Sequence, residues 1–240
     1  YNSFTYPQSG FKINNGLLSL SKIGSVKIIL HREIIGKIKM LTVTKDASDK
    51  WYACFSVDCD KDETLEKTDE QIGIDVGLTT FATLSNGERI DNPRFFRKDE
   101  NELARVQRRV SKHEKGKAPR KLKHTVSLVH ERITDKRSNF AHQESRKIVN
   151  RFGFIAVEDL QVNRMVHNHC LAKSISDAAW SKFFDCLTYK AEWAGRQLVK
   201  VNPAYTSQEC SHCGHRNSLE LKDRIFNCVC CGMILGRDEN

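Results

Sequence analysis

The stretch IGIDVGLTTFATLSNGERI, residues 72–90, decides the fold of this chain. Apolar and β-branched residues are interrupted by a glycine-containing turn and again at Asn86–Gly87, which predicts three strands joined by tight turns. The later stretches FGFIAVEDL, residues 152–160, and QLVKV, residues 197–201, predict two more strands. With helical patterns between them, this order predicts an α/β fold in which helices pack on a mixed sheet.

Two of the helical patterns form a predicted hairpin, at about residues 97–151, separated by Gly116 and Pro119. Their apolar residues recur at helical spacing: Leu103, Val106 and Val110, then Leu122, Val126, Val129 and Ile133. A third helix carries the stripe Trp180, Phe183, Phe184, Leu187, Ala191 and Ala194, and Gly195 ends it. Basic residues crowd the end of the hairpin, here called the basic tip: Arg105, Arg108, Arg109, Lys112, Lys115, Lys117, Arg120, Lys121 and Lys123.

The charge of the chain is concentrated in this hairpin. The formal net charge is +9, from 39 Lys and Arg against 30 Asp and Glu. Residues 94–151 hold 18 basic and 7 acidic residues, so the excess lies in this segment. A solvated helix face is the alternative, but a basic segment of this length favours a polyanionic partner, and we predict that the basic tip binds nucleic-acid phosphates.

Residues 25–59 are rich in β-branched and aromatic residues, as in SVKIILHRE and KIKMLTVT, and they predict a β-rich module. The polar DASDK, residues 46–50, stands before WYACFSV and predicts a hairpin turn. The sequence has no run of eighteen apolar residues and nothing typical of a signal peptide. We therefore expect a soluble, intracellular protein.

The nine cysteines include two Cys-x-x-Cys pairs: Cys210 and Cys213, then Cys228 and Cys231. This spacing is typical of a four-thiolate zinc ribbon, in which zinc has a structural role. Glycine follows Cys213 and Cys231, and this register leaves Cys230 as a bystander. His212 and His215 are alternative ligands. Four further cysteines, Cys54, Cys59, Cys170 and Cys186, are predicted to be small buried side chains.

Three carboxylates stand in unusual places: Asp75 inside an apolar strand, Glu158 at the end of another, and Asp238 after the cysteine pairs. Each alone fits ordinary surface solvation. Together they can bind two Mg²⁺ ions, which activate water and stabilise the leaving oxygen of a phosphodiester. Mn²⁺ suits the same oxygen ligands.

The blocks IGIDVGLTTFATLSNGERIDNPRFFRK, FIAVEDLQV and SQECSHCGH, followed by FNCVCCG and RDEN, resemble the TnpB (OrfB) family over nearly the whole chain. The resemblance implies an RNase H-like RuvC fold with an inserted zinc ribbon and an N-terminal β-rich module that binds RNA. The expected domains are a WED/OB-like module at 1–69, a RuvC-like domain at 70–203, the ribbon at 204–235, and a return to RuvC at 236–240.

The resemblance further implies cleavage of double-stranded DNA by an RNA-guided endonuclease, with a guide RNA from the transposon end, in the nucleoid of a bacterial or archaeal cytoplasm. By motif, the catalytic carboxylates fall on Asp75, Glu158 and Asp238. Since the chain begins at Tyr1, and the family continues past Asn240, we expect a fragment with weak or no cleavage. The alternatives are a non-catalytic nucleic-acid-binding remnant and a transposase that transfers strands.

Overall fold

A computed structural model describes residues 2–59, 64–203, 208–218 and 225–236. The chain divides into two compact units, one formed by residues 1–62 and 102–131 and the other by residues 63–101 and 132–240. Within the described ranges, no helix is both long enough and apolar enough to span a bilayer.

The first unit contains two three-stranded antiparallel sheets. Their strands are β1 (Ser3–Pro7), β2 (Phe11–Asn14), β3 (Leu17–Leu20), β4 (Gly24–Lys27), β5 (Lys37–Lys45) and β6 (Trp51–Asp58). One sheet has the order β1-β5-β6 and the other the order β2-β3-β4. Leu18, Leu20, Leu41 and Val43 form a buried cluster between the strands of this unit.

The predicted hairpin at DASDK is confirmed, because β5 and β6 pair in antiparallel register from Lys45 and Trp51. Asp46 closes the turn by accepting hydrogen bonds from the backbone N–H groups of Ser48 and Lys50, at 2.8 and 2.9 Å. Within SVKIILHRE only the first three residues lie in a strand, because β4 ends at Lys27. Strands β1, β2 and β3 all lie before residues 25–59, from which the β-rich module was predicted.

The second unit is built on a five-stranded mixed sheet. After β7 (Gln71–Val76), β8 (Thr80–Leu84) and β9 (Arg89–Asp91), the helices α1 (Phe95–Ser111) and α2 (Arg120–Arg151) lead to β10 (Phe154–Glu158). Then come α3 (Val162–Met165), α4 (Ala172–Ala178), α5 (Trp180–Trp193), β11 (Gln197–Val201), β12 (Ile225–Asn227) and β13 (Ile234–Gly236).

The order of the sheet is β11-β10-β7-β8-β9, with β10 parallel to both β7 and β11 and the other pairs antiparallel. This confirms the predicted α/β fold with helices on a mixed sheet. Residues of α2 and α5 pack with one face of the sheet, where Phe81 contacts Phe140 and Phe183 edge to face at 4.9 and 5.2 Å. Trp180 belongs to this core, as its position in the apolar stripe predicted, and is 2% exposed.

Gly153 joins α2 to β10 at a point with no room for a side chain. A Cβ there would lie 1.9 Å from the carbonyl oxygen of Thr68, so any other residue would push the two segments apart. The close approach fixes where β10 begins, and so fixes the position of Glu158 at its end.

The prediction that the four unpaired cysteines are buried is correct for Cys186 alone. Cys54, Cys59 and Cys170 are exposed. For Cys54 the reason is the period of the strand, because Ala53 and Phe55 on either side of it pack on the core and Cys54 faces the opposite side of β6.

Candidate metal-binding and nuclease site

Side chains alternate between the two faces of β7, and this alternation places Asp75 away from the core. Ile72, Ile74 and Val76 are buried on one face of β7, and the half-buried Asp75 lies on the other. Strand β10 repeats this arrangement, since Ile155 and Val157 are buried and Glu158 is half-buried. Both carboxylates therefore project from the face of the sheet opposite to these buried side chains.

The pairing of β10 with β7 brings these carboxylates together. Val157 is the partner of Ile74 in the parallel register, so the next step places Glu158 beside Asp75. Neighbouring strands lie about 4.8 Å apart, which is close enough for two carboxylates to share a cation. Without a cation the two negative charges would repel each other.

Two further contacts shape the surroundings of this pair. Thr83 on β8 is the partner of Asp75 and is 6% exposed, so a hydroxyl-bearing side chain lies next to the carboxylate. The backbone N–H of Asp159 donates to the carbonyl of Val201 at 2.8 Å, which holds the chain after Glu158 against β11. Thr83 was not identified from the sequence as part of the site. The hairpin predicted from β7 and β8 would have indicated a residue of β8 opposite Asp75.

Asp238, the third carboxylate predicted from the sequence, lies outside the described residues. The structure therefore brings together two of the three carboxylates, Asp75 and Glu158. Oxygen ligands of this kind suit Mg²⁺, which typically takes one or two protein carboxylates and fills its remaining positions with water and substrate phosphate.

The two Cys-x-x-Cys pairs converge on one point. The Sγ atoms of Cys210, Cys213, Cys228 and Cys231 all lie within 4.8 Å of one another. The distance is 3.6 Å from Cys210 to Cys231 and 3.5 Å from Cys213 to Cys228. Four sulfurs at the corners of a tetrahedron with Zn–S bonds of about 2.3 Å would be about 3.8 Å apart, so this cluster can hold a metal ion such as zinc.

The local backbone supports this cluster, as the Cys-Gly pattern predicted. Gly214 and Gly232 have φ of +70° and +73°, in the left-handed region that glycine enters without strain. The N–H of Cys231 points at Cys228 Sγ at 3.5 Å, and this interaction lowers the pKa of the Cys228 thiol to about 6. Strand pairing of β12 with β13 brings the second Cys-x-x-Cys pair into a hairpin.

Cys230 is exposed and does not belong to the cluster, so its assignment as a bystander is confirmed. His212 and His215 are not members of it either. The side chain of Cys210 is 3% exposed and packs with Phe226, which is fully buried. This core is very small, and a bound metal would supply most of its stability.

All nine side chains of the basic tip are exposed. Three have partners: Lys117 pairs with Glu114, Arg120 Nη2 lies 2.6 Å from Asp49 Oδ2, and Lys123 donates to the carbonyl of Gly116 at 2.9 Å. Against the residues that the structure describes, the other six form no ion pair: Arg105, Arg108, Arg109, Lys112, Lys115 and Lys121. The two helices expected on either side of Gly116 and Pro119 are present, since α1 ends at Ser111 and α2 begins at Arg120.

Known proteins resemble the chain in sequence along nearly its whole length. Residues 54–169 match OrfB_IS605, described as "Probable transposase", and residues 180–240 match the Cas12f1-like TNB domain. A protein of Streptomyces pristinaespiralis named "Putative RNA-guided DNA endonuclease" is 37% identical over 99% of this chain and 60% of its own length. The protein named "Putative RNA-guided DNA endonuclease InsQ" of Escherichia coli K12 is 30% identical over 94% of this chain and 60% of its own length.

A solved structure supports the same fold. A chain of the CRISPR-Cas12f ternary complex superposes with a TM-score of 0.53 at 21% identity, covering 85% of this chain and 44% of the Cas12f chain. The present chain spans about three fifths of the length of the curated relatives that it matches. From the matching segments and the identities, the chain is a homologue of the proteins named RNA-guided DNA endonuclease, with an OrfB_IS605 segment followed by a Cas12f1-like TNB segment.

Proposed function

We propose that this protein is an RNA-guided, divalent-metal-dependent endonuclease that cleaves DNA phosphodiesters. The observation that carries the proposal is the adjacency of Asp75 and Glu158 on neighbouring parallel strands. Two carboxylates at neighbouring positions can act as ligands of one divalent cation, which would offset the repulsion between their charges.

In this proposal Asp75 and Glu158 bind Mg²⁺, with Asp238 as the third ligand. Bound Mg²⁺, or Mn²⁺ in its place, would activate a water and stabilise the charge on the leaving oxygen. The protein supplies the rigidity: the parallel pairing of β7 with β10 fixes the two carboxylates, and Thr83 packs beside Asp75. Fixed oxygen ligands hold a metal without reorganisation during the reaction.

We assign zinc to the four thiolates, because the sulfur distances fit and a Cys₄ site is closed to substrate. Zinc would then be structural, and residues 204–235 would fold as a ribbon inserted between the RuvC-like domain at 70–203 and its return at 236–240.

The proposed partners are a guide RNA from the transposon end and a double-stranded DNA target, in the nucleoid of a bacterial or archaeal cell. The β-rich module at 1–69 would bind RNA, and the exposed basic tip would follow the phosphates of the guide–target duplex. These roles need charge and backbone geometry and not base readout.

Cleavage of a target plasmid with the element's own RNA and Mg²⁺ tests the proposal. Asp75→Asn and Glu158→Gln should each abolish cutting, because each removes a metal ligand at nearly constant shape. Asp159→Asn is the matched control: it removes an exposed carboxylate next to Glu158 and should cut like the wild type.

A non-catalytic nucleic-acid-binding role is the second candidate, and it is favoured by the basic tip, in which six cations form no ion pair with the residues that the structure describes. RNA binding without cutting by the wild type, and with no effect of Asp75→Asn on affinity, would replace the nuclease proposal with this one. Joined strands among the products would indicate a transposase instead.

A further inference from the structure

A cavity of about 470 Å³ opens beside the turn between β7 and β8. Its polar side chains come from three parts of the chain: Thr79 of the turn, Asn92, Arg94 and Arg97 just before and at the start of α1, and Ser174 and Asp177 of α4. The cavity is distinct from the basic tip, which lies at the other end of α1 and includes none of these residues.

The single carboxylate in the cavity wall is already neutralised. Asp177 accepts from the backbone N–H of Phe96 at 2.8 Å and from Arg137 Nη2 at 2.9 Å. Its side chain is 4% exposed, so it presents little negative charge to the cavity. The wall therefore does not repel an anion.

The arginines, in contrast, keep donors available. Among the described residues, the guanidinium of Arg94 forms no ion pair or hydrogen bond. Arg97 Nη1 lies 3.4 Å from Glu100 Oε2, a long contact, and Glu100 is also paired with Lys173. With the hydroxyls of Thr79 and Ser174, two guanidinium groups leave an excess of donors facing the cavity.

Asn92 holds the two sides of this cavity together. Its Nδ2 donates to the carbonyl of Leu78 at 2.9 Å, and its Oδ1 accepts from the backbone N–H of Arg94 at 3.1 Å. Arg94 has φ of +48°, which is uncommon for a residue other than glycine, and this bond helps to hold it there. The position of the first arginine is therefore set in advance of binding.

The cavity lies at the turn that follows the strand carrying Asp75. Asp75 is near the carboxyl end of β7, and Thr79 follows in the turn that leaves this strand. We propose that Arg94, Arg97, Thr79 and Ser174 bind a backbone phosphate of the nucleic-acid strand that passes Asp75 and Glu158. This inference rests on the proposed function, and it assigns to these residues the positioning of the strand.

Binding of a fluorescent single-stranded DNA at several salt concentrations tests the proposal. All variants carry Asp75→Asn, so that the strand stays intact. Arg94→Gln with Arg97→Gln should lower the slope of log K against log salt by about 0.7 for each phosphate that these arginines would otherwise neutralise. If the two proteins bind equally at 1 M salt, the loss of one neutralised phosphate makes the variant bind about fivefold more weakly than its parent at 0.1 M salt.

Two matched controls separate the cavity from general charge. Lys98→Gln removes a positive charge from the same helix beside Arg97, but outside the cavity, and should change the slope by less than half as much. Ser174→Glu places a carboxylate in the cavity and should weaken binding, whereas Ser176→Glu, on the same helix but outside the cavity, should not. Thermal unfolding of each variant checks that it is folded. If the arginine variant does not fold, the comparison of Ser174→Glu with Ser176→Glu tests the proposal by itself.

A slope change for Lys98→Gln of half or more of that for the double arginine variant, or equal effects of the two serine substitutions, would overturn the proposal. Titration with inorganic phosphate at constant ionic strength identifies the source of the phosphate. If the wild type binds phosphate through Arg94 and Arg97 while the DNA slope is the same in the variant, the cavity is a site for free phosphate and the strand proposal fails. A wild type that does not cut DNA would refute the nuclease proposal but leave these binding comparisons intact.

Discussion

Arg137 Nη2 lies 2.9 Å from Asp177 Oδ1, and the aspartate side chain is 4% exposed. The same carboxylate accepts backbone N–H groups of Phe96 and Arg97, at 2.8 and 3.3 Å. One side chain of α4 therefore neutralises a cation of α2 and satisfies two N–H groups at the start of α1 that have no partner within the helix.

Asp177→Ala should destabilise the protein by about 3 kcal/mol, because it leaves a partly buried guanidinium without its counter-ion. Asp135→Asn is the control, since Asp135 is exposed on α2, and it should change the free energy of unfolding by less than about 0.5 kcal/mol. Urea unfolding measures both. Equal stability of the two variants would show that the Arg137–Asp177 pair contributes nothing.

The burial of Trp180 predicts that its replacement by Phe costs much less stability than its replacement by Ala. Its side chain is buried, and its Nε1 has no hydrogen-bond partner within the described residues. Trp180→Phe removes this unsatisfied N–H and should stay within about 1 kcal/mol of the wild type, whereas Trp180→Ala should lose about 3–5 kcal/mol. Trp193, which is 63% exposed, is the control position, and its change to Ala should have little effect. A larger loss for Trp180→Phe than for Trp180→Ala would contradict the packing described.

Metal content tests the cysteine cluster. The wild type purified in the presence of zinc should carry one zinc ion per chain, measured by elemental mass spectrometry. Cys213→Ser and Cys231→Ser should each lose it, because each removes one of four converging thiolates. Cys230→Ser should keep the full content, since this residue is exposed and outside the cluster. Zinc loss in Cys230→Ser would indicate a different ligand set.

The lowered pKa of Asp49 predicts that the stability of the protein depends on pH. Hydrogen bonds from Lys45 Nζ at 2.5 Å and Arg120 Nη2 at 2.6 Å lower the pKa of its carboxyl to about 2. Because the pKa is lower in the folded state than in the unfolded state, the stabilising contribution is present at neutral pH and is lost as the pH falls from about 4 to about 2. Arg120→Gln should raise the pKa of Asp49, as followed by the NMR shift of its carboxyl carbon. An unchanged pKa would show that the Arg120–Asp49 contact is absent in solution.

The basic tip should account for much of the salt dependence of nucleic-acid binding. Changing Arg108, Arg109 and Lys112 to Gln should lower the slope of log K against log salt by about 0.7 for each phosphate of a single strand that is no longer neutralised. The matched control changes Arg146, Lys147 and Lys182, which are exposed but outside the tip. The same slope in both triple variants would place the nucleic acid elsewhere.

Local patterns in the sequence were sufficient to predict the strands that form the sheet of the second unit. The alternation in residues 72–76 and 154–158 also places Asp75 and Glu158 away from the core, because a strand has a period of two. Their adjacency was not readable from either strand alone. It depends on the parallel register between β7 and β10, which is set across two helices by contacts such as Gly153 against Thr68.

The cavity at Arg94 could not be predicted from the sequence, for a related reason. Its arginines belong to the general basic excess of the hairpin, and nothing near them in sequence distinguishes them. Their environment is made by Asp177, some 80 residues further along the chain, and by the bond from Asn92 to Leu78. The short strands β1 and β2 were missed because runs of four or five residues give too weak a period.

The parallel pairing of β7 with β10 also has a consequence during protein synthesis. Ile74 leaves the ribosome 83 residues before its partner Val157. At a synthesis rate of about 5–20 residues per second, β10 is synthesised about 4–17 seconds after β7, and β7 lacks this pairing partner during that time. Over that interval the nascent chain has Asp75 without Glu158, so the proposed metal-binding pair can form only after the residues that follow α2 have been translated.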